Sequence, residues 1–303
     1  MNKPDMSIDL NGLLLKNPVT VASGTFGFGR EYAEYLDLNK IGAIVVKGLT
    51  LEERQGNPVP RVAETPMGIL NSIGLQNPGV HYFIEHELPY LEQYDTKIIA
   101  NINGNTLEDY CKIAEILSKT TIDGLELNIS CPNVKEGGVA FGRDPEKVYE
   151  VTKKVRESTD KYLIVKLSPN VGDINEVGIA AESGGADCLS LINTLIGMGI
   201  DIETQRPVLA NVVGGLSGPA VKPVAVRMVY DVTKVVNIPV IGMGGIMNYG
   251  DAIEFFLAGA SAISVGTANF ANPFVTAEIT DGIEQYLVRK GYSSIKEIVG
   301  KVK

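Results

Sequence analysis

Eight short, nearly continuous apolar segments recur along the chain, each followed by a stretch with helical periodicity. They are Val19–Ala22, Ala43–Lys47, Lys97–Ile102, Gly124–Asn128, Leu163–Leu167, Cys188–Asn193, Pro239–Gly242 and Ala262–Gly266. Several lie about 25 residues apart, the length of one strand, turn and helix. Strands that are apolar throughout suit a parallel sheet covered on both faces by helices. Eight such units close into an α/β fold, a (β/α)8 TIM barrel, with a doubly wound open sheet as the rival. A chain of 303 residues accommodates such a barrel with insertions, so residues 1–303 read as one domain.

Helix signals agree with this alternation. Asn105-Thr106-Leu107-Glu108 opens a helix towards Leu117, and Asp144 caps one that begins at Pro145. Gly218-Pro219 precedes a helix over Val221–Val235, and Tyr249-Gly250-Asp251 leads into Ala252–Leu257, which Gly259 ends. Two connections are longer, at about fifty residues, between the second and third strands and between the sixth and seventh; insertions of that size on a barrel are usually functional loops. They contain Gly56-Asn-Pro58, Asn77-Pro-Gly79, Gly197-Met-Gly199 and Gly214-Gly-Leu-Ser-Gly-Pro219.

Composition excludes several classes. With 27 basic and 36 acidic residues the net charge is −9, which gives no bulk attraction to nucleic acid or anionic membrane. The sequence has no signal peptide, and no apolar stretch reaches the roughly 18 residues of a membrane span, so a cytoplasmic protein is expected. The three cysteines, Cys111, Cys131 and Cys188, have neither metal-site nor disulfide spacing. Cys111 and Cys188 read as small buried hydrophobes.

Chemistry gathers at the C-terminal ends of the strands. Lys47 closes the second, Asn101 and Asn103 share a face at the third, and Glu126 and Asn128 share one at the fourth. Lys166 and Ser168 do so at the fifth, and Asn193 ends the sixth. Burying each such group unpaired would cost about 1–3 kcal/mol. Their convergence on one rim points to a site there, where barrels of this type carry their active sites. Gly242-Met-Gly-Gly-Ile246 and Gly266-Thr267 follow strands seven and eight, where bare amides form a phosphate cradle; tight turns alone are the other reading. Cys131, just past strand four, precedes Lys135-Glu-Gly-Gly-Val-Ala-Phe-Gly142, a segment with the composition of a lid. A thiol carried over the site can act as a general base or a nucleophile. The two histidines, His81 and His86, are distant in sequence, which favours proton abstraction over a Cys–His acyl-transfer centre.

These residues carry a resemblance to the dihydroorotate dehydrogenase family from about Met6 to Tyr286. The landmarks are Ala22-Ser-Gly-Thr-Phe-Gly-Phe-Gly29, Val46-Lys-Gly48, Asn71-Ser-Ile-Gly-Leu75, Asn128-Ile-Ser-Cys-Pro-Asn133, Val165-Lys-Leu167, Ile192-Asn-Thr194, Gly214 to Pro219, Gly242 to Ile246 and Gly266-Thr267. The resemblance implies oxidation of dihydroorotate to orotate in pyrimidine biosynthesis, with one FMN in the barrel mouth. It implies flavin contacts from Ala22, Ser23, Lys47, Gly48, Asn101, Asn128, Lys166, Ile192, Gly218, Gly244, Gly245, Gly266 and Thr267. It places substrate against Lys47, Asn71, Ser72, Ile73, Gly74, Leu75, Asn128, Asn133, Asn193 and Thr194, with Cys131 as the catalytic base. No metal site is implied.

Within the family, a cysteine base is similar to the class 1 enzymes, and Ser23 to Gly29 together with Thr194 resemble class 1B, which uses NAD⁺. That class pairs its catalytic chain with a subunit carrying FAD and a [2Fe–2S] cluster, as a heterotetramer. This chain has neither a cysteine cluster for iron–sulfur nor a dinucleotide fingerprint, so electrons bound for NAD⁺ would leave through such a partner. The alternatives are a fumarate-dependent class 1A enzyme, a domain similar to dihydropyrimidine dehydrogenase, or a phosphate-binding barrel without flavin.

Overall fold

The computed structural model describes residues 3–129 and 142–303. Eight parallel strands close into a barrel: β1 (Val19–Val21), β2 (Ala43–Val45), β3 (Lys97–Ile102), β4 (Gly124–Asn128), β5 (Tyr162–Lys166), β6 (Cys188–Leu191), β7 (Val240–Met243) and β8 (Ala262–Val265). Each strand pairs with its neighbours in sequence, and β8 closes on β1 through Ile263↔Val19. This closure removes the open-sheet alternative. All eight strands lie at or within two residues of their expected positions.

The strands separate two cores by the period of two. Outward residues such as Ile44, Ile98, Leu125, Leu163, Leu189 and Ile263 pack beneath the helices. Inward residues Ala43, Val45, Ile99, Ile164, Cys188, Ile241 and Ala262 form a second, apolar layer inside the barrel. An antiparallel hairpin, Ile8–Asp9 with Leu14–Leu15, contributes Leu10, Leu13 and Leu15 to that layer. The Tyr162 hydroxyl donates to the Leu10 carbonyl and ties the hairpin to β5. Cys188 is fully buried here, while Cys111 is only half-buried on its helix.

The helices show why these segments fold as they do. In Leu107–Ser118 the buried residues are Tyr110, Ile113, Ala114 and Leu117, one stripe at helical spacing. Thr106 and Asp109 form a reciprocal capping box at its start. Helix Pro145–Glu157 buries Val148, Val151, Thr152 and Val155, and Asp144 accepts from the Glu146 amide. The segment after Gly218 begins as a short 3-10 turn, Pro219–Val221, and continues as the helix Lys222–Val232. Asn248 caps Tyr249–Leu257, so that helix begins earlier than the glycine at 250 suggests.

The two long insertions are not open loops. Val62–Thr65 and Gly68–Asn71 from the first pair with Gly214–Ser217 and Leu195–Gly197 from the second, as one four-stranded antiparallel sheet. The first insertion then continues into a helical run from Val80 to Leu91 with a π-helical turn at Phe83–Glu87. His81 and His86 sit exposed on this run.

Candidate active site

Above the apolar layer the inward positions become polar. Asn101 on β3, Glu126 on β4, Lys166 on β5 and Ser190 on β6 are all buried. Glu126 accepts from Asn101 Nδ2 at 2.6 Å and from Ser190 Oγ at 2.7 Å. Lys166 Nζ lies 3.8 Å from the same carboxylate. Asn103 Nδ2 donates to Asn101 Oδ1 at 2.8 Å. A buried carboxylate is tolerated only with such partners, because stripping its hydration costs several kcal/mol. Strand register brings them together: Asn101 is the partner of Glu126 and Lys166 that of Ser190.

A cavity of about 340 Å³ is lined by Asn101, Asn128 and Lys166 and by groups from every side of the barrel mouth. Ala22 and Ser23 reach it from β1, Lys47 and Gly48 from β2, and Ile192, Asn193 and Thr194 from β6. Gly218, Gly244, Gly245, Gly266 and Thr267 line it as well. Asn71, Ile73, Gly74 and Leu75 line it from the first insertion. Residues as far apart in sequence as Ala22 and Thr267 therefore share one space. Ser72 is the exception: its side chain is fully buried outside the lining, and its Oγ has no hydrogen-bond partner among the described residues. Cys131 and Asn133 lie outside the described residues.

The glycine-bearing turns are built for close approach. Gly245 has φ +74°, and a Cβ there would fall 2.7 Å from Lys222 Cβ and 2.9 Å from the Gly218 carbonyl oxygen. The turns after β6 and β7 thus pack too tightly to admit a side chain. Ser264 on β8 also lines the cavity, and its buried Oγ lacks a partner among the described residues. Bare turns after strands seven and eight with an orphaned hydroxyl fit the phosphate and polar tail of a phosphorylated ligand.

Another part of the lining is cationic and amide-rich. Burial pushes the Lys47 ammonium below its usual range, Arg61 adds to the effect, and Glu31 opposes it. No acceptor lies within hydrogen-bond distance of Lys47 Nζ among the described residues, which leaves it available to an anion. Asn193 Nδ2 faces Asn128 Oδ1 at 3.4 Å. Asn170 clamps the following turn, donating to the Thr194 carbonyl at 2.9 Å and accepting from the Ile196 amide at 3.0 Å.

Several contributors escaped the sequence reading. Val62, Ile69, Leu216 and Ser217 line the cavity from the four-stranded sheet, and Gln76 and Phe270 reach it as well. Asn170 and Arg61 act from just behind the lining. Only pairing between the two insertions would have shown the sheet residues, and sequence gives no direct signal for it.

Fold and site together define a (β/α)8-barrel enzyme with a polar, glycine-rich cavity at the C-terminal ends of its strands. The profile of the dihydroorotate dehydrogenase family matches residues 6–287. The chain is 57% identical over 299 residues to the protein from Thermoanaerobacter pseudethanolicus named dihydroorotate dehydrogenase B (NAD(+)), catalytic subunit, covering 99% of each chain. Proteins of the same name from Alkaliphilus oremlandii and Geotalea daltonii are 59% and 56% identical, over the full length of both chains. This chain belongs to the dihydroorotate dehydrogenase family.

Proposed function

We propose that the chain is the catalytic subunit of an NAD⁺-dependent dihydroorotate dehydrogenase, oxidising dihydroorotate to orotate for pyrimidine biosynthesis with one bound FMN. The observation that carries this reading is the single cavity joining the glycine cradle to Lys47, Asn71, Asn128 and Asn193. FMN would supply the two-electron acceptor for hydride leaving C6 of the substrate. Its phosphate would lie against Gly244, Gly245, Gly266 and Thr267, and its ring beside Lys47, Asn101 and Lys166. The lysine charge there would offset negative charge gained on reduction.

Substrate recognition falls to the chain itself. Lys47 attracts the carboxylate of dihydroorotate, and the asparagine amides match the donors and acceptors of its ring. Stacking and orientation supply much of the rate, because a fixed geometry removes the entropy of encounter. Cys131 takes the proton from ring C5, as a thiol can once water is excluded.

The name shared by the relatives designates a catalytic subunit, which supports a partner chain. We assign that partner an FAD and a [2Fe–2S] cluster, in a heterotetramer of two catalytic and two electron-transfer chains in the cytoplasm. No helix among the described residues is long and apolar enough to cross a membrane.

The test is purification with the partner, quantifying flavin and iron, followed by assay with dihydroorotate and NAD⁺. Stoichiometric FMN on this chain and NADH formation that requires the partner are expected. Full turnover of the isolated chain with fumarate would overturn the NAD⁺ assignment.

A further inference from the structure

Glu126 is a buried carboxylate that the reaction outlined above does not use. It is 1% exposed and is not among the residues lining the cavity. Both its oxygens are engaged, one by Asn101 and the other by Ser190. Its third neighbour is Lys166, whose Nζ lies 3.8 Å away and which does line the cavity. We propose that Glu126 is a positioning residue that holds the Lys166 ammonium back from the cavity and offsets its charge, and thereby sets the reduction potential of the flavin. The inference rests on the FMN reading given above.

The sign follows from electrostatics. An ammonium beside the ring favours the reduced, more negative state, and a carboxylate paired to that ammonium weakens the effect. Removing the carboxylate charge frees Lys166 to act at full strength. Glu126→Gln does so with little change of shape. Its amide oxygen can still accept from Asn101, while the Ser190 hydroxyl rotates to accept from the new N–H.

The experiment measures the midpoint potential of bound FMN in the wild-type and variant proteins, with FMN content and thermal stability recorded in parallel. In Glu126→Gln the affinity ratio for reduced over oxidised FMN is expected to rise at least tenfold, equivalent to about +30 mV for a two-electron couple. Ser190→Ala, which keeps the charge and loses one hydrogen bond, is expected to lower stability and leave the potential in place. An unchanged potential in FMN-loaded Glu126→Gln overturns the inference alone. A wild type that takes up no FMN overturns it together with the reading beneath it. If Glu126→Gln does not fold, the comparison moves to Lys166→Met, with and without Glu126→Gln. There Glu126→Gln is expected to leave the potential of Lys166→Met in place, because Glu126 acts through Lys166, and a tenfold change in the affinity ratio would overturn the proposal.

Discussion

Asn71 and Gly215 are register partners in an antiparallel ladder although 144 residues separate them, and the Asn71 amide donates to the Gly215 carbonyl at 3.4 Å. This pairing joins the two insertions into one wall of the cavity. A Cβ at position 215 would overlap the Thr194 hydroxyl, which lines that cavity. Gly215→Ala is therefore expected to displace Thr194 and raise the KM for dihydroorotate with FMN retained. Steady-state kinetics beside flavin absorbance checks both halves.

Lys47 provides a test with a pH signature. A charge-assisted hydrogen bond is worth about 1.5–3 kcal/mol, so Lys47→Met should weaken orotate binding by roughly 10- to 100-fold. Burial and Arg61 lower the pKa of Lys47. As pH rises through that lowered value the ammonium loses its proton and its attraction for the carboxylate. Orotate affinity should thus decline on the alkaline side at a pH below the usual lysine range, and Lys47→Met should abolish the decline. Binding titrations from neutral to alkaline pH measure it.

Asn170 touches the turn that presents Thr194, through two hydrogen bonds of 2.9 and 3.0 Å. At about 1 kcal/mol for each bond, Asn170→Ala should raise KM by roughly 10- to 30-fold. Flavin content should stay at the wild-type level, because the cradle lies on other turns.

The barrel floor should be separable from its mouth. Leu10 is fully buried in the inner apolar layer contributed by the N-terminal hairpin. Leu10→Ala should cost about 2–5 kcal/mol of stability, as core truncations of this kind do. Denaturant unfolding should show that loss while the KM of the folded enzyme stays unchanged.

The parts of this architecture visible in sequence are those set by local pattern. Strands such as Lys97–Ile102 and Gly124–Asn128 announce themselves by composition, and Thr106, Asp144 and Gly259 mark helix ends. Polar residues at alternate positions near strand ends, such as Lys166 and Asn128, carry the period that places them in the barrel. What stayed hidden depends on distant pairing. Gly214–Ser217 contains three polar or glycine residues among four and becomes a strand only by pairing with Gly68–Asn71 and Leu195–Gly197. Nothing local in sequence marks Leu10 and Leu13 as core, because only the closed barrel gives them an interior to fill. Ser72 falls within a motif whose neighbours line the cavity, yet its side chain turns away from it, as neighbours on an extended chain do.

In the proposed complex flavin and substrate share one cavity, with the substrate anion held by Lys47. The most direct measurement is the absorption difference spectrum of FMN-loaded protein titrated with orotate, in the wild type and in Lys47→Met. A saturable shift of the flavin bands is expected in the wild type, and the same shift at much higher orotate concentration in the variant. Orotate that binds without perturbing the flavin, or that binds both proteins equally, would contradict it.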